Sequence, residues 1–223
     1  MSFYHTILQE ALDVFHTHGV EDITETKLIR KLNVSEATFH EFFESKDDLL
    51  QQAIAHYLAS EISQHEKLTS AALNAVEELF GLLNYGVQQL RQVSANYFPE
   101  LIRTQPAAWQ LYLQHSESHT LPLVAKILNR GINEGLFLKG LDTALVTRLI
   151  LGQINVLFDQ TLFPAGEYPV STVYRSVYMF LIRGICTQKG IQLSEKIVSL
   201  PEQQAASAAT SDSASVEVEA AEE

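Results

Sequence analysis

Cysteine is nearly absent from this 223-residue chain. The one present, Cys186, cannot close an internal disulfide, which fits a reducing, cytoplasmic setting and a buried small hydrophobe. Long apolar runs are missing too. The most apolar segment, residues 144–158, is interrupted by Arg148, Gln153 and Asn155. It therefore reads as a buried helix of a soluble protein, since a membrane span needs about 18 or more consecutive apolar residues. The opening MSFYHTILQEALDVF has no basic segment and spaces its polar residues regularly, unlike a secretory leader. Alternating β-branched segments bounded by tight-turn pairs are all but absent, which argues against a sheet. The glycine signatures of phosphate-binding loops and of hydrolase nucleophile elbows do not occur, and no catalytic constellation stands out. The chain is not read as an enzyme and calls for no cofactor.

Positive charge is scarce. Lys and Arg number 15 against 27 Asp and Glu, for a net charge of −12. The deficit sits at the two ends: residues 1–50 hold four bases against ten acids, and residues 205–223 hold five acids and no base. That last stretch, AASAATSDSASVEVEAAEE, also lacks aromatic residues, so residues 201–223 are expected to form a disordered acidic tail.

What is present throughout is helical periodicity. Ile7, Ala11, Val14 and Phe15 make a stripe that stops at Gly19. Thr24 is placed to cap a second helix carrying Leu28, Ile29 and Leu32. Asn33, which tolerates the left-handed conformation, supplies a tight turn, and Ser35 caps a third helix. Phe39, Phe42 and Phe43 are expected in the core. The run SKDD at 45–48 matches a capping box and opens a long fourth helix through Leu49, Leu50, Ile54 and Leu58. Further on, residues 71–93 are expected to form one helix, with a break at Pro99. Pro106 and Pro122 suit first turns, the second behind a Thr120 cap. A helix ends at Gly135, Asp142 caps the next, and residues 164–169 form a loop before a last long helix.

The fold class is therefore all-α: a three-helix helix-turn-helix domain over residues 1–60, its motif at about 24–43, on a larger helical domain over 61–200. Within that layout, ILQEALDVFHTHGVEDIT followed by LIRKLNVSEATFHEFFESKDDLL resembles the N-terminal domain of the tetracycline-repressor (TetR) family. The resemblance rests on Ala11, Phe15, Gly19, Thr24, Leu28, Val34, Ser35, Thr38, Phe39, Phe43, Ser45, Lys46, Leu49 and Leu50. It implies a homodimer that reads a palindromic DNA operator with its third helix and answers to a small-molecule effector, usually as a repressor of transcription. Carried over by position, Thr24, Ser35 and Lys46 would hold phosphates, and Thr26, Lys27, Thr38 and His40 would approach bases or nearby phosphates. The sequence departs from the family pattern at Glu36 and Glu41, where basic or aromatic residues are common. Those acids weaken the electrostatic attraction that dominates non-specific DNA affinity.

The helix over 142–161 is apolar almost all round, so it is expected to be covered on both sides, packing with 170–188 against the same pair of a second copy. Tyr97, Trp109, Tyr112, Asn155 and Phe158 are candidates to line an effector pocket. No metal site is assigned. His56 and His65 are nine apart and face different ways, and His115 and His119, though four apart, lie beside an expected helix break at Pro122. A second functional reading is a TetR-like sensor or interaction protein that no longer reads DNA and offers its acidic N-terminal face to a protein partner.

Overall fold

A computed structural model describes residues 2–164 and 166–199, without the side chains at 151, 154, 155, 198 and 199. The expected tail at 201–223 lies outside the described residues. The fold is all-α, with an isolated bridge between Phe137 and Cys186 as the only extended pairing among the described residues. No helix among them is long and apolar enough to cross a membrane.

Three short helices and the start of a fourth enclose the first core. Helix α1 (Phe3–His18) buries Ile7, Leu8, Ala11, Leu12 and Phe15. It stops at Gly19, whose N–H reaches the Phe15 carbonyl at 2.9 Å and whose φ of +80° favours glycine. Helix α2 (Glu25–Lys31) and helix α3 (Glu36–Phe42) are joined through Asn33, at φ +51°. Helix α4 (Lys46–Ala71) opens on Ser45, whose Oγ accepts from the Asp48 N–H. Asp48 in turn accepts from the Glu44 N–H at 3.0 Å, so the capping box closes one residue earlier than its usual form. Phe15, Phe39, Phe43, Leu28 and Leu49 are essentially fully buried here, each contributing about 1.5–3 kcal/mol of burial. Phe42 corrects the expectation for its triplet: it is 40% exposed and packs at the rim against Phe3 and Tyr4.

Helix α5 (Ala75–Arg91) does not start at residue 71. The chain breaks between Ala71 and Asn74, because Asn74 Oδ1 accepts from the N–H groups of Val76 and Glu77, and Glu77 accepts from the Leu73 N–H. Alanines 71 and 72 favour no particular face, so the apolar period ran through this break unmarked. Helix α6 (Tyr97–Thr104) carries Pro99 in its first turn rather than at a break, and helix α7 (Pro106–His115) starts on its proline as expected. Thr120 does not cap a helix. Residues Ser116–Thr120 form one π turn joining α7 directly to helix α8 (Leu121–Asn133). Pro122 lacks an N–H and its ring crowds the carbonyl four residues back, and a widened turn relieves both.

Helix α9 (Thr143–Leu157) is capped by Asp142, and helix α10 (Val170–Ile185) follows the 164–169 loop. A further helix, α11 (Gln188–Ser199), was not anticipated. The second core gathers α5, α8, α10 and α11 around Phe80, Leu128 and Phe137, with Cys186 buried among them. Tyr97, Leu101 and Ala108, from α6 and α7, belong instead to the N-terminal core. Helix α6 is therefore built into the underside of the three-helix head.

Candidate functional site

Two sites lie on either side of that underside. On the outer face, Thr24 Oγ1 accepts from the Lys27 N–H at 3.3 Å, and Ser35 Oγ accepts from the Thr38 N–H at 3.0 Å while sharing a hydrogen bond with Thr38 Oγ1 at 2.7 Å. Both caps hold a helix N-terminus open to solvent, where free N–H groups favour an anion. Thr24, Thr26, Lys27, Ser35 and His40 are exposed, and Thr38 and Lys46 half-buried. The two lysines are not free arms. Lys27 Nζ donates to the Asp22 carbonyl at 3.1 Å and Lys46 Nζ to the Val20 carbonyl at 3.0 Å. Glu25 ties the patch together: one carboxylate oxygen accepts from the Lys46 N–H at 2.8 Å, and the other lies 3.8 Å from His40 Nε2. Thr24, Lys27, His40 and Lys46 are thus gathered around Glu25 and the α1–α2 turn, with Ser35 and Thr38 at the start of α3. Glu36 and Glu41 stand exposed on the same short helix.

On the inner side is a cavity of about 280 Å³, just below the range of roughly 300–1,000 Å³ usual for small-molecule sites. Leu83, Val124, Ile150 and Ile182 give it apolar walls, and Phe98 stacks on Phe158 at a centroid distance of 4.3 Å. Of the five expected residues, Trp109, Tyr112 and Phe158 line it. Tyr97 is fully buried behind the wall, its hydroxyl 3.2 Å from that of Tyr112. The side chain of Asn155 lies outside the described residues. Gly86 lets the Tyr174 ring pack directly against α5 in the cavity wall, since a Cβ there would come within 2.6 Å of the Tyr174 hydroxyl.

The polar part of the lining was not anticipated as a group. Glu61 accepts from the Tyr85 hydroxyl, and burial pushes its carboxyl up from the usual range against the opposing pull of the Tyr85 and Tyr57 hydrogen bonds. His65, on the next turn of α4, has Nε2 3.8 Å from Glu61 and Nδ1 3.2 Å from His119 Nε2. Burial first, then the neighbouring His119 and His115, push its pKa down to about 4, and burial likewise lowers His115. His16 reaches the cavity from α1, also held near 4 by burial. Besides the spacing of four between His115 and His119, the sequence signal for this group was the spacing of four between Glu61 and His65. Their partners come from α7 and the π turn, some fifty residues on, a distance no local pattern bridges.

Residues 7–53 match the family model for bacterial regulatory proteins of the tetR family. The N-terminal head is a tetR-family domain. The chain is similar along most of its length to the fatty acid metabolism regulator protein of Bacillus subtilis (strain 168), at 21% identity over 82% of this chain and 95% of that protein. The transcriptional repressor KstR2 of Mycobacterium tuberculosis is likewise 21% identical, over 83% of this chain and 93% of its own. The fold superposes on the crystal structure of FadR from Bacillus subtilis in complex with stearoyl-CoA, with a TM-score of 0.61, 22% identity, and 82% of this chain and 99% of that one covered. At such identities the likeness is one of fold. It extends over the helical body as well as the head.

Proposed function

We propose that this TetR-family regulator binds a palindromic operator as a homodimer, acts as a repressor in the cytoplasm, and responds to an apolar small molecule held in its inner cavity. One observation carries the reading: α6 touches both sites. Phe98 lines the cavity. Two residues on, Glu100 Oε2 accepts from the N–H groups of Val20 at 2.6 Å and Glu21 at 3.0 Å, and Arg103 pairs with Glu21 at 2.8 Å. Val20 also receives Lys46 through its carbonyl. A ligand that moves Phe98 therefore moves the turn on which the reading patch is assembled, and it shifts the population between two head positions by its differential affinity for them.

Thr24, Ser35 and Lys46 are assigned to phosphates in this reading, and Thr26, Lys27, Thr38 and His40 to bases or adjacent phosphates. Lys46 retains donors for a phosphate after serving the Val20 carbonyl, because an ammonium carries three. The dimer forms through helices 142–161 and 170–188, where Leu145, Leu149, Val156 and Phe180 are exposed. The effector's class follows from the apolar lining and its polar corner at Glu61, Tyr85 and His65: a long apolar body with one polar end. The stearoyl-CoA complex of a similar fold agrees with that class.

The test is capture of fragmented genomic DNA from the source organism by the purified protein, at low and moderate salt, followed by sequencing. One palindromic motif is expected, lost with Thr38→Ala and released when long-chain acyl-CoA is added. No enrichment even at low salt, where weak phosphate contacts are strongest, would overturn operator reading and leave the acidic face as a protein-binding surface.

A further inference from the structure

We propose that His65, His115 and His119 form a zinc-type divalent metal site in the cavity wall, with Glu61 orienting His65 from behind. The three side chains each offer a ring nitrogen, and these atoms lie within 4.8 Å of one another. A tetrahedral ion at about 2.0–2.1 Å from each nitrogen requires ligand atoms about 3.3 Å apart. His65 Nδ1 and His119 Nε2 are already at 3.2 Å. Neutral imidazoles are the donors that suit zinc and its neighbours in the first transition row.

A plain hydrogen-bonded histidine pair accounts for His65 and His119 but not for the third ring. His115 Nε2 is buried among the described residues with no hydrogen-bond partner, an arrangement that costs free energy unless something binds there. His115 closes α7 and His119 sits in the π turn that follows, so the one irregular turn in a long helical run is the segment that delivers two of the three rings to the third. Single π turns inside helices frequently mark functional sites. Behind His65, the Glu61 carboxylate faces the ring nitrogen turned away from the cluster, at 3.8 Å, and is itself fixed by the Tyr85 hydroxyl. A carboxylate behind a ligating histidine sets the ring's tautomer and orientation and raises its basicity. It also offsets part of the charge that a divalent ion would bring into an apolar wall. His65 and His115 both line the cavity, so the fourth position of the ion opens inward, to water or to an oxygen of whatever the cavity holds. The site stands whether or not the effector is an acyl compound.

The test uses the full chain, stripped with chelator and titrated with Co2+, whose visible bands strengthen in four- or five-coordinate sites. One equivalent is expected to bind with such bands and to be displaced by Zn2+. His115→Ala and His119→Ala each abolish the bands, and Glu61→Gln weakens binding by about 10–100-fold. His56→Ala leaves binding unchanged, although His56 stacks on His5 at 4.8 Å and forms the competing histidine pair. Circular dichroism checks that each variant folds. X-ray absorption of the zinc-loaded wild type, which needs no variant, is expected to show three imidazoles at about 2.0–2.1 Å. A cobalt spectrum that stays that of the aqueous ion would overturn the proposal, as would binding undiminished in both alanine variants.

Discussion

His16 is an imidazole placed where it cannot easily ionise. It projects from α1 into the cavity wall, edge-on to Tyr57 and Tyr97, and its Nε2 is buried without a hydrogen-bond partner. Burial pushes its pKa from 6.5 down to about 4. Between those values the unfolded chain binds a proton that the folded chain does not. The stability owed to the neutral ring is therefore complete above about pH 6.5 and lost as the pH falls toward 4. Urea unfolding of chelator-treated protein at about pH 7.5 and 4.5 is expected to show a fall of which His16 accounts for about 1–3 kcal/mol. His65 adds to the fall in the same sense. His16→Leu should remove its own share, and an equal fall in the variant would show that another group carries the proton. Residues of this kind mark the limit of what a sequence displays. Thr24, Ser35, Asn33 and Asp142 could be assigned in advance because a cap or a left-handed turn is a contract with neighbours two or three positions away. The burial of His16 and the clasp of Lys46 on Val20 depend on partners many residues distant, and nothing local announces them.

Among the elements, α6 has the largest role for its size. Its eight residues put Tyr97 and Leu101 into the N-terminal core, Phe98 into the cavity wall, and Glu100 and Arg103 onto the α1–α2 turn. The turn needs this support because Gly19 fits closely there: a Cβ would come within 2.6 Å of the Glu100 carboxylate. Glu100→Gln keeps the shape and removes the charge from two hydrogen bonds, so it is expected to cost about 1–3 kcal/mol. It should also speed hydrogen exchange at the Val20 and Glu21 amides by about tenfold or more. Operator affinity should fall with it, since Lys46 is anchored to the same turn. Unchanged exchange at those two amides would mean that the turn holds itself and that α6 is not the link. Helix starts were legible from the side-chain caps at Thr24, Ser35, Ser45 and Asp142, but not at Asn74, whose cap lies inside an unbroken apolar period. The expected Thr120 cap failed because the residues around it, SESHT, carry the signs of a break while the chain continues through a π turn. Helix α11 escaped notice because its polar residues mask a short apolar stripe that packs into the second core.

At the scale of the whole molecule, an apolar surface on α9 and α10 stands exposed among the described residues. On α9, Leu145, Leu149 and Val156 are 54%, 47% and 37% exposed, and Gly152 stands exposed between the last two. Spacings of four, three and four place them on one stripe. On α10, Phe180 is 75% exposed. The all-round apolar pattern of residues 144–158 is thus divided between an inner face, with Val146 and Ile150 on the cavity, and an outer face that stands exposed at Leu145, Leu149 and Val156. In the proposed dimer, a two-fold partner resting on that outer face would complete a four-helix bundle and set the spacing of two reading heads. The arrangement matters more here than in a basic DNA binder. With ten acids against four bases in residues 1–50, a single head would draw little affinity from counterion release, so the proposed operator binding would depend on engaging two half-sites at once. Leu149→Asp combined with Phe180→Asp puts charge into the centre of the joint. The double variant is expected to sediment as a folded monomer and to lose operator affinity by about a hundredfold or more. Its cavity and its Glu100 clasp lie elsewhere, so cobalt binding and exchange protection at Val20 should be kept. A variant that still sediments as a dimer would place the joint on another surface, and a monomer that binds operator undiminished would show that one acidic head is enough to read DNA.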